Sequence, residues 1–139
     1  MSQLLAIETA LIERIAAKLP CKVSPFPGSP DAFGSPALAD EIFVGYQRLN
    51  ASPPPRSLPH SKIIQERIAE YACLLRRKNL RSHQGTYELL DLLRAAVIGF
   101  QPLQTSPAFF YQLTEGFVEL SQGFWAYSSV FAIYLPSRS

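Results

Sequence analysis

The strongest constraint on the fold is the segment from Gly123 to Leu135, which contains no charged residue. Alternate residues of a strand face opposite sides of a sheet. One side would carry Phe124, Ala126, Ser128, Val130, Ala132 and Tyr134, and the other Trp125, Tyr127, Ser129, Phe131, Ile133 and Leu135. Because both sides are largely apolar, we expect this strand to be central in a sheet or covered by another subunit.

Four further segments have the composition of strands. A tight turn at Ser121-Gln122-Gly123 joins the segment from Phe109 to Leu120 to the last strand, which predicts a hairpin. Glu41 to Tyr46 is rich in β-branched and aromatic residues, and the long stretch from Ser61 to Arg76 alternates in its second half. Cys21 to Phe26, within a proline-rich region, predicts a short edge strand.

Two segments have the apolar periodicity of amphipathic helices. The first carries Leu4, Ile7, Leu11 and Ile15, and the second, from Thr86 to Ile98, carries Tyr87, Leu90, Leu93 and Val97. Ser2 is expected to cap the first helix, which should end before Pro20. Gly99 is expected to end the second helix.

The order of these elements predicts an α+β fold with a mainly antiparallel sheet and two helices packed on one face. The 139 residues fit one domain, covering 1–139. With 47% hydrophobic and 17% charged residues, the chain can bury a core.

The sequence indicates a binding protein and not an enzyme. It contains no phosphate-binding glycine loop, zinc-protease motif or nucleophile elbow, so we expect no catalytic, cofactor or metal site. Net charge is only +2, and no apolar stretch suits a membrane span or a secretory signal. Cys21 and Cys73 are expected to be reduced, buried small side chains.

Three groups of residues are candidates for contacts with a partner. We call Ile63 to Arg67 the arm and Arg76 to Arg81 the basic turn. The candidates are Ile63, Gln65, Glu66 and Arg67 in the arm, Arg76, Arg77, Lys78 and Arg81 in the basic turn, and Trp125 and Tyr127 in the last strand.

Each group has a second interpretation. The arm could be a subunit contact or a solvated strand edge blunted by charges. The basic turn, predicted between a strand and a helix, could bind phosphates or acidic neighbours, including DNA in the lumen of a ring, or simply be solvated. Core packing explains Trp125 and Tyr127 as well as an interface does.

The segment from Leu74 to Arg94, which reads LLRRKNLRSHQGTYELLDLLR, resembles the signature region of the Mu-like phage tail-terminator proteins. The resemblance continues at the first helix, at Val23 to Pro27, at Gln65-Glu66-Arg67 and at Phe124-Trp125-Ala126-Tyr127. It therefore covers nearly the whole chain.

The resemblance implies a tail-terminator-like fold and a structural function in the virion tail, with assembly in the host cytoplasm. A homo-hexameric ring would cap the head-proximal end of a contractile tail tube, stop tube and sheath polymerisation, and form the junction with the neck. Its partners would be tube, sheath and neck or connector proteins. Three alternatives remain: a neck or head-to-tail completion protein, the cap of a phage-derived contractile injection system, and a small nucleic-acid-binding protein.

Overall fold

A computed structural model describes residues 2–27, 40–51, 66–78, 84–120 and 124–135. Its elements, in chain order, are α1 (Gln3–Lys18), β1 (Lys22–Pro25), β2 (Glu41–Ala51), β3 (Arg67–Lys78), α2 (Gln84–Val97), β4 (Tyr111–Leu120) and β5 (Phe124–Leu135). The predicted α+β class and element order are confirmed. The predicted turn at 121–123 lies outside the described residues.

The five strands form one sheet in the order β1-β2-β3-β5-β4. All neighbours pair antiparallel except β1 and β2, which are parallel. The expectation of a mainly antiparallel sheet is confirmed, with a parallel edge strand that the local pattern could not reveal.

Strand β5 lies between β3 and β4, as its apolar character on both faces predicted. Its twelve residues pair in continuous register with those of β3, from Arg67 opposite Leu135 to Lys78 opposite Phe124. This register places Ala69, Tyr71, Cys73 and Leu75 on the same face as Tyr127, Phe131, Ile133 and Leu135. We call this the helix face, because its side chains share one buried cluster with residues of both helices.

The helices pack on that face through the predicted apolar stripes. Ile7, Leu11 and Ile15 of α1 are fully buried, as are Leu93 and Val97 of α2. Arg14 joins the two helices, because its Nε donates to the Ala96 carbonyl oxygen at 3.0 Å and its guanidinium lies 5.2 Å from the centre of the Phe100 ring.

The helix ends follow the sequence signals in part. Ser2 occupies the N-cap position of α1, but its side chain makes no capping hydrogen bond; its carbonyl oxygen accepts from the Ala6 amide instead. Leu19, which precedes Pro20, is extended, with φ −115° and ψ 146°. Gly99 follows α2 with a φ of 85°, a left-handed conformation that suits glycine.

Tyr71 is the largest fully buried side chain at the centre of the helix face. Its hydroxyl donates to the Leu4 carbonyl oxygen at 2.8 Å, and its ring packs edge-on against Phe110 at 5.9 Å between centroids. Burial raises the pKa of the Tyr71 hydroxyl far above its usual value. One residue therefore connects α1, the central sheet and the segment before β4.

The strands differ in length from the predictions. β2 continues to Ala51, five residues beyond the predicted end at Tyr46, with a bulge between Tyr46 and Arg48. The extension places Arg48 and Asn50 beside buried Glu70, which accepts a hydrogen bond from the Asn50 amide and lies 3.5 Å from Arg48 Nε. These partners of Glu70 explain why the strand does not end at Tyr46.

Both cysteines are free thiols in the structure. Cys73 is fully buried, as predicted, whereas Cys21 is only half-buried. Burial raises the pKa of the Cys73 thiol from 9.0 to about 12. Cys73 therefore behaves as a neutral apolar side chain.

The core predicts a contrast between neighbouring leucines of α2. Replacing fully buried Leu93 with alanine should lower the free energy of unfolding by about 2 to 5 kcal/mol, since the cavity adds to the lost burial. The control Leu92→Ala, at a side chain 43% exposed, should change it by less than about 0.5 kcal/mol. Urea unfolding measures both free energies, and equal losses would contradict the assignment of Leu93 to the buried side of α2.

Cys73 predicts a pH dependence of stability. The unfolded thiol ionises near pH 9.0 and the folded one near 12, so its contribution is complete below pH 9 and is lost as pH rises towards 12. Between pH 9 and pH 12, the free energy of unfolding should therefore fall less steeply for Cys73→Ala than for the wild type. The two slopes should differ by about 1.4 kcal/mol per pH unit. Urea unfolding at several pH values measures the slope, and identical slopes would contradict the burial of Cys73.

Candidate assembly surface

The structure places the first half of the basic turn inside β3. Arg76 and Arg77 were predicted in a strand-to-helix connection, but β3 continues to Lys78. Their side chains consequently lie on opposite faces of the sheet. The prediction of one continuous basic loop from residue 76 is therefore wrong, because pairing with β5 extends the strand.

Arg76 is almost completely buried, with 3% of its side chain exposed. Its Nη2 donates to Glu41 Oε2 at 2.7 Å, and its guanidinium lies 5.5 Å from the centre of the Phe43 ring. Glu41 and Arg76 are directly opposite each other in the β2–β3 register. The pair joins the start of β2 to the end of β3.

Arg77 makes a similar contact on the helix face. Its Nε donates to Asp40 Oδ1 at 3.0 Å, and its Nη1 donates to the Thr86 hydroxyl at 2.8 Å. A Cβ on Gly85 would lie 3.2 Å from Arg77 Nη1, so glycine at this position leaves room for the Arg77 side chain against α2. Both arginines thus bind acidic neighbours from their own chain.

Of the remaining candidates other than Tyr127, the structure describes the side chains of Glu66 and Arg67 only. Glu66 is exposed just before β3 and Arg67 is half-buried as its first residue, roughly 30 Å along the strand from Arg76. Lys78 and Trp125 lie in β3 and β5, but their side chains are outside the described residues. Ile63, Gln65 and Arg81 are also outside the described residues. The partner contacts assigned to these residues stay predictions.

Tyr127 lies on the helix face, where 7% of it is exposed. Its ring packs edge-on against Phe117 of β4, with 5.4 Å between centroids. Burial and the nearby Tyr87 raise the pKa of the Tyr127 hydroxyl, while Arg77 opposes this shift. Within one chain, Tyr127 therefore acts as core, the alternative that the sequence left open.

A groove of about 340 Å³ lies between α2 and β4, with Tyr127 at its base. Its polar side is an ion pair in which Arg94 Nη1 donates to Glu115 Oε2 at 2.6 Å, and Arg94 also pairs with Asp91. Its apolar side contains Tyr87 and Phe117, 56% and 52% exposed. Sequence reasoning missed this groove, since Arg94 and Glu115 come from distant elements.

A small hydrogen-bond network continues from Glu115 into the sheet. Gln112 Nε2 donates to Glu115 Oε1 at 3.0 Å and to the buried Ser129 hydroxyl oxygen at 2.9 Å. The network satisfies a buried polar group of the central strand. It also fixes the orientation of β4 at the edge of the sheet.

Large apolar side chains are exposed on strands at opposite edges of the sheet. On β4 these are Leu113, Phe117 and Val118, with exposed fractions of 47%, 52% and 39%. On the second half of β2 they are Tyr46 and Leu49, with 41% and 38%. Exposed apolar side chains on an edge strand can promote pairing with other chains.

The described residues contain no group of three or more histidine, cysteine or acidic side chains able to hold a metal ion. In the same part of the chain, no helix combines the length and apolar character needed to cross a membrane. The structure thus presents apolar strand edges and internal ion pairs as its main chemical features.

These features define the class of protein: an α+β fold whose described sheet exposes apolar side chains on β4 and on the second half of β2. Residues 11–136 match the family described as Gp37 protein, so the chain belongs to the Gp37 family. This family indicates a phage-associated structural protein. No curated protein matches the chain.

The buried ion pair predicts that neutralising Glu41 costs more stability than neutralising Asp91. Replacing Glu41 with glutamine leaves the Arg76 charge without its carboxylate inside the protein, and should lower the free energy of unfolding by about 1 to 3 kcal/mol. The control Asp91→Asn removes a partner that is 69% exposed and should cost less than about 1 kcal/mol. Urea unfolding compares them, and equal costs would contradict this role of Glu41.

Proposed function

We propose that this chain is the tail terminator of a contractile phage tail. It would cap the head-proximal end of the tail tube, stop further addition of tube and sheath subunits, and form the junction with the neck. The observation that carries the proposal is membership of the Gp37 family across residues 11–136. The specific role comes from the segment 74–94, which resembles the signature region of Mu-like tail terminators.

The structure supports an assembly role through its surface chemistry. Phe117 of β4 and Tyr87 of α2 expose apolar area in the groove, and Leu113 exposes more on β4. A soluble monomer rarely exposes large contiguous apolar patches, whereas subunit interfaces use them. In a hexamer, this area would be covered by neighbouring subunits.

A terminator needs no catalytic group to stop polymerisation. One end of the ring complements the end of the tube, and the other end does not offer the binding surface of a tube subunit. Growth stops because the next subunit finds no template. The ring would present its other end to the neck proteins.

The ion pairs of the basic turn bear on the nucleic-acid alternative. Arg76 and Arg77 already bind Glu41 and Asp40, which offsets their charge locally. Phosphate binding gains its energy from accessible cations that release counterions. The contacts of these two arginines therefore favour a structural role within the subunit over DNA binding.

The proposal predicts a change in tube length. Purified tail tube protein of the same phage should stop elongating when this chain is added, because each capped end no longer accepts subunits. The number-averaged tube length, measured by negative-stain electron microscopy, should fall as the ratio of chain to tube protein rises. A maltose-binding protein added at equal concentration serves as the control and should leave the length unchanged.

Unaltered elongation at every ratio would contradict the terminator role. Binding to isolated neck protein without any effect on tubes would move the assignment to a neck or completion protein. Strongly salt-dependent binding to DNA by the monomer, again without an effect on tubes, would favour the nucleic-acid alternative.

A further inference from the structure

Strand β4 forms one edge of the sheet over its whole length. In the described part of the chain it pairs only with β5, so its outer hydrogen-bonding side faces away from the sheet. Natural edge strands are usually protected by charges, prolines or a covering element. β4 has a bulge between Gln112 and Thr114 and a carboxylate at Glu115, which pairs with Arg94. It nevertheless exposes three large apolar side chains, Leu113, Phe117 and Val118.

The opposite edge of the sheet is divided into two parts. β1 pairs with residues Glu41 to Val44 of β2, and the Phe26 amide adds one more bond to the Val44 carbonyl oxygen. Beyond this point, the described strands place nothing beside Tyr46 to Ala51, and all six residues of that stretch are exposed. Among the described strands, the second half of β2 is therefore a second edge of the sheet.

We propose that β4 of one subunit pairs with the second half of β2 in the next subunit, so that the sheets join into a closed ring. This inference rests on the proposed function, which supplies the ring, and identifies the surfaces that build it. The occupant of each edge is a second copy of this chain.

The direction of the strands supports this pairing. Across the sheet, β2 is antiparallel to β3, β3 to β5 and β5 to β4, so β4 runs opposite to β2. Rotation of a subunit about an axis along the strands preserves strand direction. β4 would therefore meet the neighbouring β2 in antiparallel orientation, with the two helix faces on the same side of the joined sheet.

The exposed apolar side chains also match across this contact. Phe117 is opposite Tyr127 in the register and therefore lies on the helix face. On β2, Tyr46 is opposite Tyr71 and Leu49 is opposite Ala69, which places both on the same face. Joining the edges brings apolar side chains of both subunits together on one side of the sheet, where cross-strand contacts stabilise pairing.

The two edges differ, so the contact is heterologous. Such a contact can repeat around an axis and close, whereas pairing of β4 with another β4 would stop at a two-fold dimer. In a β4–β2 contact, a chain with one defective edge can still bind a neighbour through its other edge. A symmetric β4–β4 contact offers no second edge, so a defect in β4 would abolish it.

The test uses two full-length variants with opposite defects. Phe117→Glu places a charge on the β4 edge, and Leu49→Lys places one on the β2 edge. Sedimentation velocity over a concentration series should show a ring for the wild type and monomers of 15.5 kDa for each variant. An equimolar mixture should form one-to-one heterodimers, because one intact β4 edge meets one intact β2 edge and the chain of contacts cannot close.

A matched control and a second variant keep the result interpretable. Leu5→Lys changes a side chain that is 51% exposed on α1, which belongs to neither strand of the proposed contact, and should retain the ring. Urea unfolding reports whether each variant folds, and Val118→Lys replaces Phe117→Glu if that variant does not. Rings formed by both edge variants, or a mixture without heterodimers, would overturn the edge contact. A wild type that forms no ring, alone or on tube ends, would instead overturn the proposed function.

Discussion

The rest of the structure depends on the pairing of β3 with β5 in the middle of the sheet. Twelve consecutive residue pairs fix which side chains face the helices, and a shift of one residue would move every apolar residue to the other face. Tyr71 reinforces this register, because its buried hydroxyl must reach the Leu4 carbonyl oxygen. The two helices, the groove and both sheet edges take their positions from this central pair.

The charges of the chain mainly strengthen this arrangement. Arg76 and Arg77 connect the end of β3 to the start of β2, on opposite faces, through Glu41 and Asp40. Arg94 connects α2 to the edge strand β4 through Glu115. Polar contacts thus hold the sheet and helices together, while apolar side chains remain exposed on β4 and on the second half of β2.

Local sequence patterns predicted the elements that depend on side-chain periodicity and backbone conformation. The apolar segment from Gly123 to Leu135 indicated a central strand, and Gly99 indicated the end of α2, because both follow from side-chain periodicity or backbone conformation. The partners of Arg76 and Arg94 could not be predicted in this way. Glu41 and Glu115 lie far from them in sequence. The β2–β3 register brings Glu41 to Arg76, and the packing of α2 beside β4 brings Arg94 to Glu115.

Electron cryo-microscopy of tail tubes assembled with this chain tests the account most directly. The account predicts one closed ring at a single end of each tube, in which β4 of each subunit lies beside the second half of β2 of its neighbour. Subunits bound along the sides of the tube, or a terminal ring whose β4 edges face solvent, would contradict it.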